Sequence, residues 1–591
     1  MEGLDRLEKN WRWWLLLFWL LTSALLIWNR WAQIRGFGLG DTDDNMRMMQ
    51  VRAWLDGQGW YDLRQYRLDP PYGADIHWSR LVDLPIAGIK LALTPLIGGA
   101  GAERVAVAVA PLLPMGVGMA AIAVTVRRLI APQAFALAIA ILLCAESTRG
   151  MWTPLRIDHH GWQLALLAVS LMSLTDPKRA RGGAILALSS VLSIAIGLEM
   201  LLYLALLGVV VVLLWIRDAG EARRLAAYGA GLAGGTAACY LLFASWANRG
   251  PVCDALSPVW LSTLVAAGAV AAVLAIHSPR SLWARLLHAA AAGALLAVAF
   301  VHFWPTCLGR PEHVSPELDR LWLSNVREAR PIYLHGFGVA TAIAALPVFG
   351  LAGYAAMLWR SRGDRGRLVL WAAVAAPALL AAALLLWQVR AGPAAQILAV
   401  PGATALAWLL IPMVWSSQWM LVRVLGTVAA FLLASGILVQ QAVGLIPQKK
   451  GPDLGWVNRA NGYCPTLSAL RPVALQPKGV VLTFVDLGPR LITVTHHDAV
   501  AGPYHRNGQD ILDVMHAFRG SADEAHAIAL RHHVDYVLLC PGMSESTIYA
   551  SQAKQGFYMQ LVRGRIPAWL QPVPLPKGSP YRMWRVVGPR A

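Results

Sequence analysis

The sequence predicts a polytopic α-helical membrane protein of about thirteen membrane helices, followed by a small α/β domain. Three observations carry the prediction. Composition is 57% hydrophobic and 14% charged, where globular chains carry about 25% charged residues. Apolar runs approaching the roughly 20 residues needed to cross a bilayer recur along the chain. From about residue 444 proline, histidine and charged residues return, and no membrane-length run follows.

The net charge of +18, from 51 basic and 33 acidic residues, lies largely in short loops between apolar runs. Positive charge there sets topology and suits phosphate-bearing lipids, so it is not read as a nucleic-acid footprint. The charged start (Asp5, Arg6, Glu8, Lys9) lacks a small-residue cleavage site and is read as leading into a retained first helix. The six cysteines show no CxxC or zinc spacing. Cys144 and Cys239 fall in apolar runs, whereas Cys253, Cys307, Cys464 and Cys540 fall in extracytoplasmic segments where a disulfide can form, with its pairing open.

Basic loops, taken as cytoplasmic, place the elements in order. A first helix over residues 11–30 exits into a long outer loop, 31–103, whose later part, 84–97, is apolar, broken by Lys90 and Pro95, and predicted to lie at the interface. Helices follow over 105–126 and 130–145. A second outer loop, 146–160, leads into a helix over 162–174. Residues 184–216 form two helices interrupted by Glu199. Further helices end near Trp246, span 261–276 and end near Trp304. The outer loop 305–331 precedes helices over 338–358, 368–387, 394–414 and 420–443. An odd count leaves the C-terminal segment, 444–591, on the outer face with all three polar loops. That segment reads as strands over 480–485, 536–539 and 581–587. Helices are read over 510–519 and 522–531, the second begun by Ser521 with Glu524 three residues on, a capping box.

Chemistry concentrates in the outer loops. Asp41-Thr42-Asp43-Asp44 places three carboxylates in four residues just past the first helix. Carboxylates suit Mg²⁺ or Mn²⁺ and can take a proton from an acceptor; the same residues also suit a solvated turn. In Arg156-Ile157-Asp158-His159-His160, Asp and His two apart face one ion if the backbone is extended; the alternative is a helix start capped by Asp158. Glu328, in Ser324-Asn325-Val326-Arg327-Glu328, is a third candidate acid. Glu199, inside an apolar stretch, is either functional or at a helix end in water.

Taken together, these stretches resemble the GT-C superfamily of membrane glycosyltransferases, in its oligosaccharyltransferase-like branch. Asp41 followed six residues later by Arg47 is similar to that branch's first-loop motif. Asp158-His159-His160 is similar to the archaeal form of its second acidic motif, and Ser324-x-x-x-Glu328 sits like its Glu-bearing motif. The resemblance covers the whole chain in layout and about fifteen residues in motif. It implies Asp41 as catalytic carboxylate near acceptor and metal, Asp158 and His160 as further metal ligands, and Glu328 placing metal or acceptor. Mn²⁺ or Mg²⁺ is the implied cofactor. Donor phosphate contacts fall to Arg149, Arg156 or Arg47, because Met151 stands where the family has its arginine. Asp43, Asp44, His159, His496, His497, Tyr504, His505 and Arg506 are candidate donor or acceptor contacts. Leu39 replaces a family glycine, and no Trp-Trp-Asp motif follows residue 444, which argues against an Asn-sequon acceptor.

The implied activity is inverting transfer of a sugar or oligosaccharide from a polyprenyl-(pyro)phosphate donor to a lipid, glycan or polymer acceptor. The setting is the periplasmic face of a bacterial inner membrane. The rival enzyme is a metal-independent GT-C transferase using a monophosphate donor. The rival of another class is a lipid or solute transporter, which lacks support from any visible inverted repeat.

Overall fold

The computed structural model describes residues 8–446 and 454–588; Asp5 and Arg6, read as part of the charged start, lie outside them. The chain is mostly helical, with one small sheet near its C-terminus. Helix α1, Trp11–Asn29, is almost wholly apolar and buries only Ser23. Its Trp19 indole donates to the Leu112 carbonyl at 2.8 Å. Helix α2, Thr42–Leu55, carries the acidic motif.

Helix α3, Asp83–Val109, is interrupted at Gly98, whose φ of 71° and ψ of 161° are non-helical, a conformation glycine adopts without a Cβ penalty. The interruption falls between the interfacial helix read over 84–97 and the membrane helix read over 105–126. The second part continues through Ala110 and Pro111, both of helical backbone, into α4, Leu112–Leu129. There follow α5 (Ala134–Cys144), α6 (His160–Leu174), α7 (Arg179–Ile196), α8 (Leu201–Arg217), α9 (Ala222–Phe243), α10 (Pro258–His277) and α11 (Leu282–Phe303). Helices α12 (Phe337–Arg360), α13 (Arg365–Leu384) and α14 (Gly392–Trp415) precede α15 (Met420–Ala434) and α16 (Ile437–Gly444). The last two form a pair bent by 88°.

Among the described residues nine segments are long and apolar enough to cross a membrane, ten if the bent pair is one span. Thirteen crossings would require α5, α6 and α8, which are shorter, to cross as well. Helices α12 and α14 approach closely through glycines: a Cβ on Gly353 would overlap the Gly402 carbonyl. Small residues permit such backbone contact between membrane helices.

The sheet has the order β2-β1-β3-β5-β4, from β1 (Val480–Leu482), β2 (Asp498–Ala499), β3 (Tyr536–Leu539), β4 (Leu570–Pro572) and β5 (Arg582–Val586). β1 pairs in parallel with β2 and β3, whereas β5 is antiparallel to β3 and β4. Helices α17 (Gly488–Val494), α18 (Gly508–Arg519) and α19 (Ala522–Arg531) pack around it. The Ser521 hydroxyl accepts the Glu524 N–H at 3.1 Å, as the capping box predicts. Two disulfides, Cys253–Cys307 and Cys464–Cys540, resolve the pairing; Cys144 and Cys239 are free.

The loop between α2 and α3 is fastened to the sheet. Leu68 bridges Ala499, and Arg67 pairs with Asp498 at 2.9 Å. His532 clamps the same joint, its Nδ1 3.1 Å from Asp69 and its Nε2 2.8 Å from Asp513. Burial opposes the imidazolium, but hydrogen bonds to Asp513 and Asp69 outweigh it and raise the group to about 9 from 6.5. A raised folded pKa means that this stabilisation is full below pH 6.5 and disappears as pH climbs through about 9. Thermal unfolding of wild type should therefore lose stability across that window, and His532→Gln should lose less.

Candidate active site

Helix α2 is started by Asp41, which is extended (φ −109°, ψ 152°) and accepts the Asp43 N–H at 3.0 Å. Aspartate is a preferred N-cap, and acids in the first turn oppose the helix dipole. One run of sequence thereby aims Asp41, Asp43 and Asp44 at one end of the helix.

The second acidic stretch meets it there. The Asp158 N–H donates to Asp44 Oδ1 at 3.1 Å. Asp158 Oδ1 accepts the His160 N–H at 3.0 Å, and Oδ2 lies 3.2 Å from His160 Nδ1. Arg156 ties the two stretches: Nη1 reaches Asp41 Oδ2 at 2.5 Å and Asp44 Oδ2 at 3.3 Å, and Nη2 reaches Asp158 Oδ2 at 2.7 Å. Asp158 and Asp44 are buried, whereas the Asp41 side chain is 40% exposed.

One guanidinium serves four carboxylates, and the imbalance shows in their protonation. Enclosure, then the charges of Asp41 and Asp158, push Asp43 up to about 7. Burial raises Asp44 well above the usual carboxylate range despite Arg156. Burial also opposes ionisation of Asp158, but Arg156 and His160 hold it well below that range.

The other predicted residues divide. His159 Nε2 is 2.7 Å from Glu199 Oε1, and Gln163 donates to Glu199 Oε2 at 2.5 Å. Glu199 thus occupies the break between α7 and α8 as a partner of the second acidic stretch. The Tyr504 hydroxyl donates to the Thr42 carbonyl at 3.0 Å, so Tyr504 touches the acidic helix. Burial and the charge of Asp43 raise its phenol well above normal. His505 and Arg506 instead pair with Asp254 at 2.7 Å. His497 is buried on the Val473 carbonyl at 2.9 Å and His496 bonds the Gln476 carbonyl at 2.8 Å. Both are corrected to fastenings of the sheet.

Three further assignments are corrected. Arg47 is fully buried, paired with Asp83 at 2.9 Å and stacked 4.6 Å from the Trp78 ring centre, so it cannot present its charge to a donor phosphate. Arg47→Met is expected to cost about 3 kcal/mol, because a buried acid loses its main partner, while leaving the KM for donor unchanged; thermal unfolding and transfer kinetics check this. Arg156 is committed to the carboxylates. Glu328 is 61% exposed and pairs with Arg390 at 2.7 Å. The Val389 N–H bonds the Arg330 carbonyl at 2.8 Å, so the segment around Glu328 packs on the turn before α14 and not on Asp41. Arg149 is exposed and makes no ion pair among the described residues.

Asp486 was missed by the sequence reading. It follows β1, and Glu545 fixes its turn by accepting the Val485 and Asp486 N–H groups, each at 2.9 Å. Helix α17 then packs on α2, with Arg490 donating to Asn45 Oδ1 at 3.2 Å. Asp486 is solvent-exposed and lies close enough to Asp41 for that charge to raise its carboxyl. The available signal was an acid at the carboxyl end of a parallel strand, where α/β sheets bind ligands.

Asp41 and Asp158 oxygens both bind the Arg156 guanidinium, and His160 Nδ1 lies 3.2 Å from Asp158. Among the described residues the ligand atoms that lie within 4.8 Å of one another here are those of His159, His160 and Glu199, not those of Asp41, Asp158 and His160, so an ion shared by Asp41 and Asp158 requires Arg156 to move aside. A small recess adjoins Arg156 and Asp158, walled by Ile86, Pro111 and Trp162.

No family model matches the chain, and no curated protein matches it. Solved structures do. The oligosaccharyltransferase AglB of Archaeoglobus fulgidus, in complex with an inhibitory peptide and a dolichol-phosphate, superposes with a TM-score of 0.67 at 13% identity, over 92% of this chain and 72% of that one. The chain shares the fold of this archaeal oligosaccharyltransferase. The A. fulgidus oligosaccharyltransferase tethered to an acceptor peptide with an NVT sequon gives a TM-score of 0.61 at 14% identity, over 93% and 72%. Its complex with Zn and sulfate gives 0.53 at 14%, over 84% and 64%. At such identities the oligosaccharyltransferase fold is shared, and residue roles rest on the geometry above.

Proposed function

We propose that the protein is an inverting glycosyltransferase. It moves a sugar or oligosaccharide from a polyprenyl-linked phosphate or pyrophosphate to a lipid, glycan or polymer acceptor, at the periplasmic face of a bacterial inner membrane. The observation that carries this reading is Asp41: an accessible carboxylate held by Arg156 at the rim of otherwise buried acids, on an oligosaccharyltransferase fold.

Asp41 accepts the proton of the acceptor hydroxyl as that oxygen bonds the anomeric carbon. The bond from that carbon to the donor phosphate breaks, the electron pair leaves with the phosphate, and attack from the opposite side inverts the centre. No general acid is required, because the leaving group is already acidic. Asp158, through Arg156, keeps Asp41 in place. Arg149, exposed and unpaired, is available to the departing phosphate. Asp486, across from Asp41, accepts hydrogen bonds from acceptor hydroxyls. Asp41, Asp158 and His160 would hold Mn²⁺ or Mg²⁺, which when bound supplies positive charge to the leaving phosphate. The related archaeal structure holds a dolichol-phosphate, which supports a polyprenyl donor here.

Transfer from synthetic polyprenyl-phosphate and polyprenyl-pyrophosphate sugars in proteoliposomes tests the reading. The expected product has the anomeric configuration opposite to the donor's, by NMR. A product with retained configuration, or substrate movement with no glycosidic bond formed, would overturn it.

A further inference from the structure

We propose that His77, Asp254 and His505 form a second divalent-metal site that takes Zn²⁺ or a similar transition ion and fastens three separate segments together. One ligand atom from each lies within 4.8 Å of the other two. His77 comes from the loop between α2 and α3, Asp254 from the segment before α10, and His505 from the turn before α18. Two imidazoles and one carboxylate are a common donor set for zinc and other first-row divalent ions.

The arrangement within the cluster favours a cation. His505 Nε2 is 2.7 Å from Asp254 Oδ2, a hydrogen bond that opens to about 3.4 Å when both atoms ligate one tetrahedral ion at about 2.1 Å each. The rings of His77 and His505 are tilted by 50° with centres 4.8 Å apart. Neither ring nitrogen of His77 has a hydrogen-bond partner among the described residues, and its Nδ1 is sealed from solvent. A buried imidazole nitrogen left without a partner is costly, and a bound ion removes that cost.

Arg506 clasps Asp254, with Nε to Oδ2 at 2.8 Å and Nη2 to Oδ1 at 2.7 Å, and is itself held by Asp75 at 3.2 Å. Such outer partners orient ligating carboxylates. A small recess bounded by His77, Ser79, Asn248 and Gly197 adjoins the cluster at His77.

The neighbours of the ligands explain why fastening this point matters. Trp78, next to His77, stacks on Arg47 and on His159. Tyr504, next to His505, bonds Thr42 in the first turn of α2. Asp254 follows Cys253 of a disulfide. A metal here holds the sheet against the acidic helix without belonging to the acidic cluster.

Zinc binding by the full chain in detergent tests the proposal, in an Asp158→Asn background that weakens the cluster at α2. After equilibration with zinc alone, Asp158→Asn should retain about one ion per chain with a raised unfolding temperature. Adding His505→Gln, or separately Asp254→Asn, should remove both the ion and the shift. His77→Gln, on the opposite side of the site, should do the same and serves where another variant does not fold. Equal zinc with and without these substitutions, or none in Asp158→Asn, would overturn the proposal. So would a His77-dependent shift produced by inorganic phosphate and not by zinc.

Discussion

Asp41→Asn is expected to lower transfer by about 10²–10⁴-fold, the range lost with a general base, while leaving the fold intact. Asparagine caps a helix as well as aspartate, so the bond to the Asp43 N–H survives. What disappears is the carboxylate that receives the acceptor's proton. Asp43→Asn makes a sharp comparison. Asp43 is raised to about 7 by enclosure and by its acidic neighbours, so a neutral amide resembles a form it already populates, and its loss should be far smaller. Single-turnover rates of the two variants, with circular dichroism and gel filtration as folding controls, check the pair. Equal rates for Asp41→Asn and wild type would remove Asp41 from the chemistry.

The second large effect is on stability. Arg156 is 19% exposed and contacts Asp41, Asp44 and Asp158. Arg156→Met leaves four clustered carboxylates without their guanidinium, and breaking such a charge group costs about 3–5 kcal/mol. Thermal unfolding should fall accordingly. Mn²⁺ should restore more stability to Arg156→Met than it adds to wild type, because a divalent ion replaces the positive charge that Arg156 gives Asp41, Asp44 and Asp158. An unfolding temperature unchanged by the substitution would mean that the cluster is neutralised some other way.

Which parts of the site were legible in the sequence follows from how far each contact reaches along the chain. Asp41 with Asp43, and Asp158 with His160, are two residues apart, so local backbone geometry dictates their company. Charge spacing revealed both stretches. Arg47 and Glu328 looked equally convincing as motif members. Their roles are set by partners 36 and 62 residues away, Asp83 and Arg390, which no local pattern specifies. Asp486 faces Asp41 only because α17 packs on α2 through Arg490 and Asn45, 445 residues apart. The strand ahead of it was readable; its orientation was not. The helical frame shows the same division. Apolar runs marked nearly every membrane helix, and the break at Gly98 falls where the sequence reading ended its interfacial helix, whereas the helical backbone through Ala110 and Pro111 had no local signal.

The most direct measurement is diffraction from crystals grown with Mn²⁺, inspected for anomalous signal. The predicted result is a peak bounded by Asp41, Asp158 and His160, absent from crystals of Asp158→Asn. No peak there in wild type, at a Mn²⁺ concentration and lipid-donor loading that support transfer, would contradict the metal-assisted site.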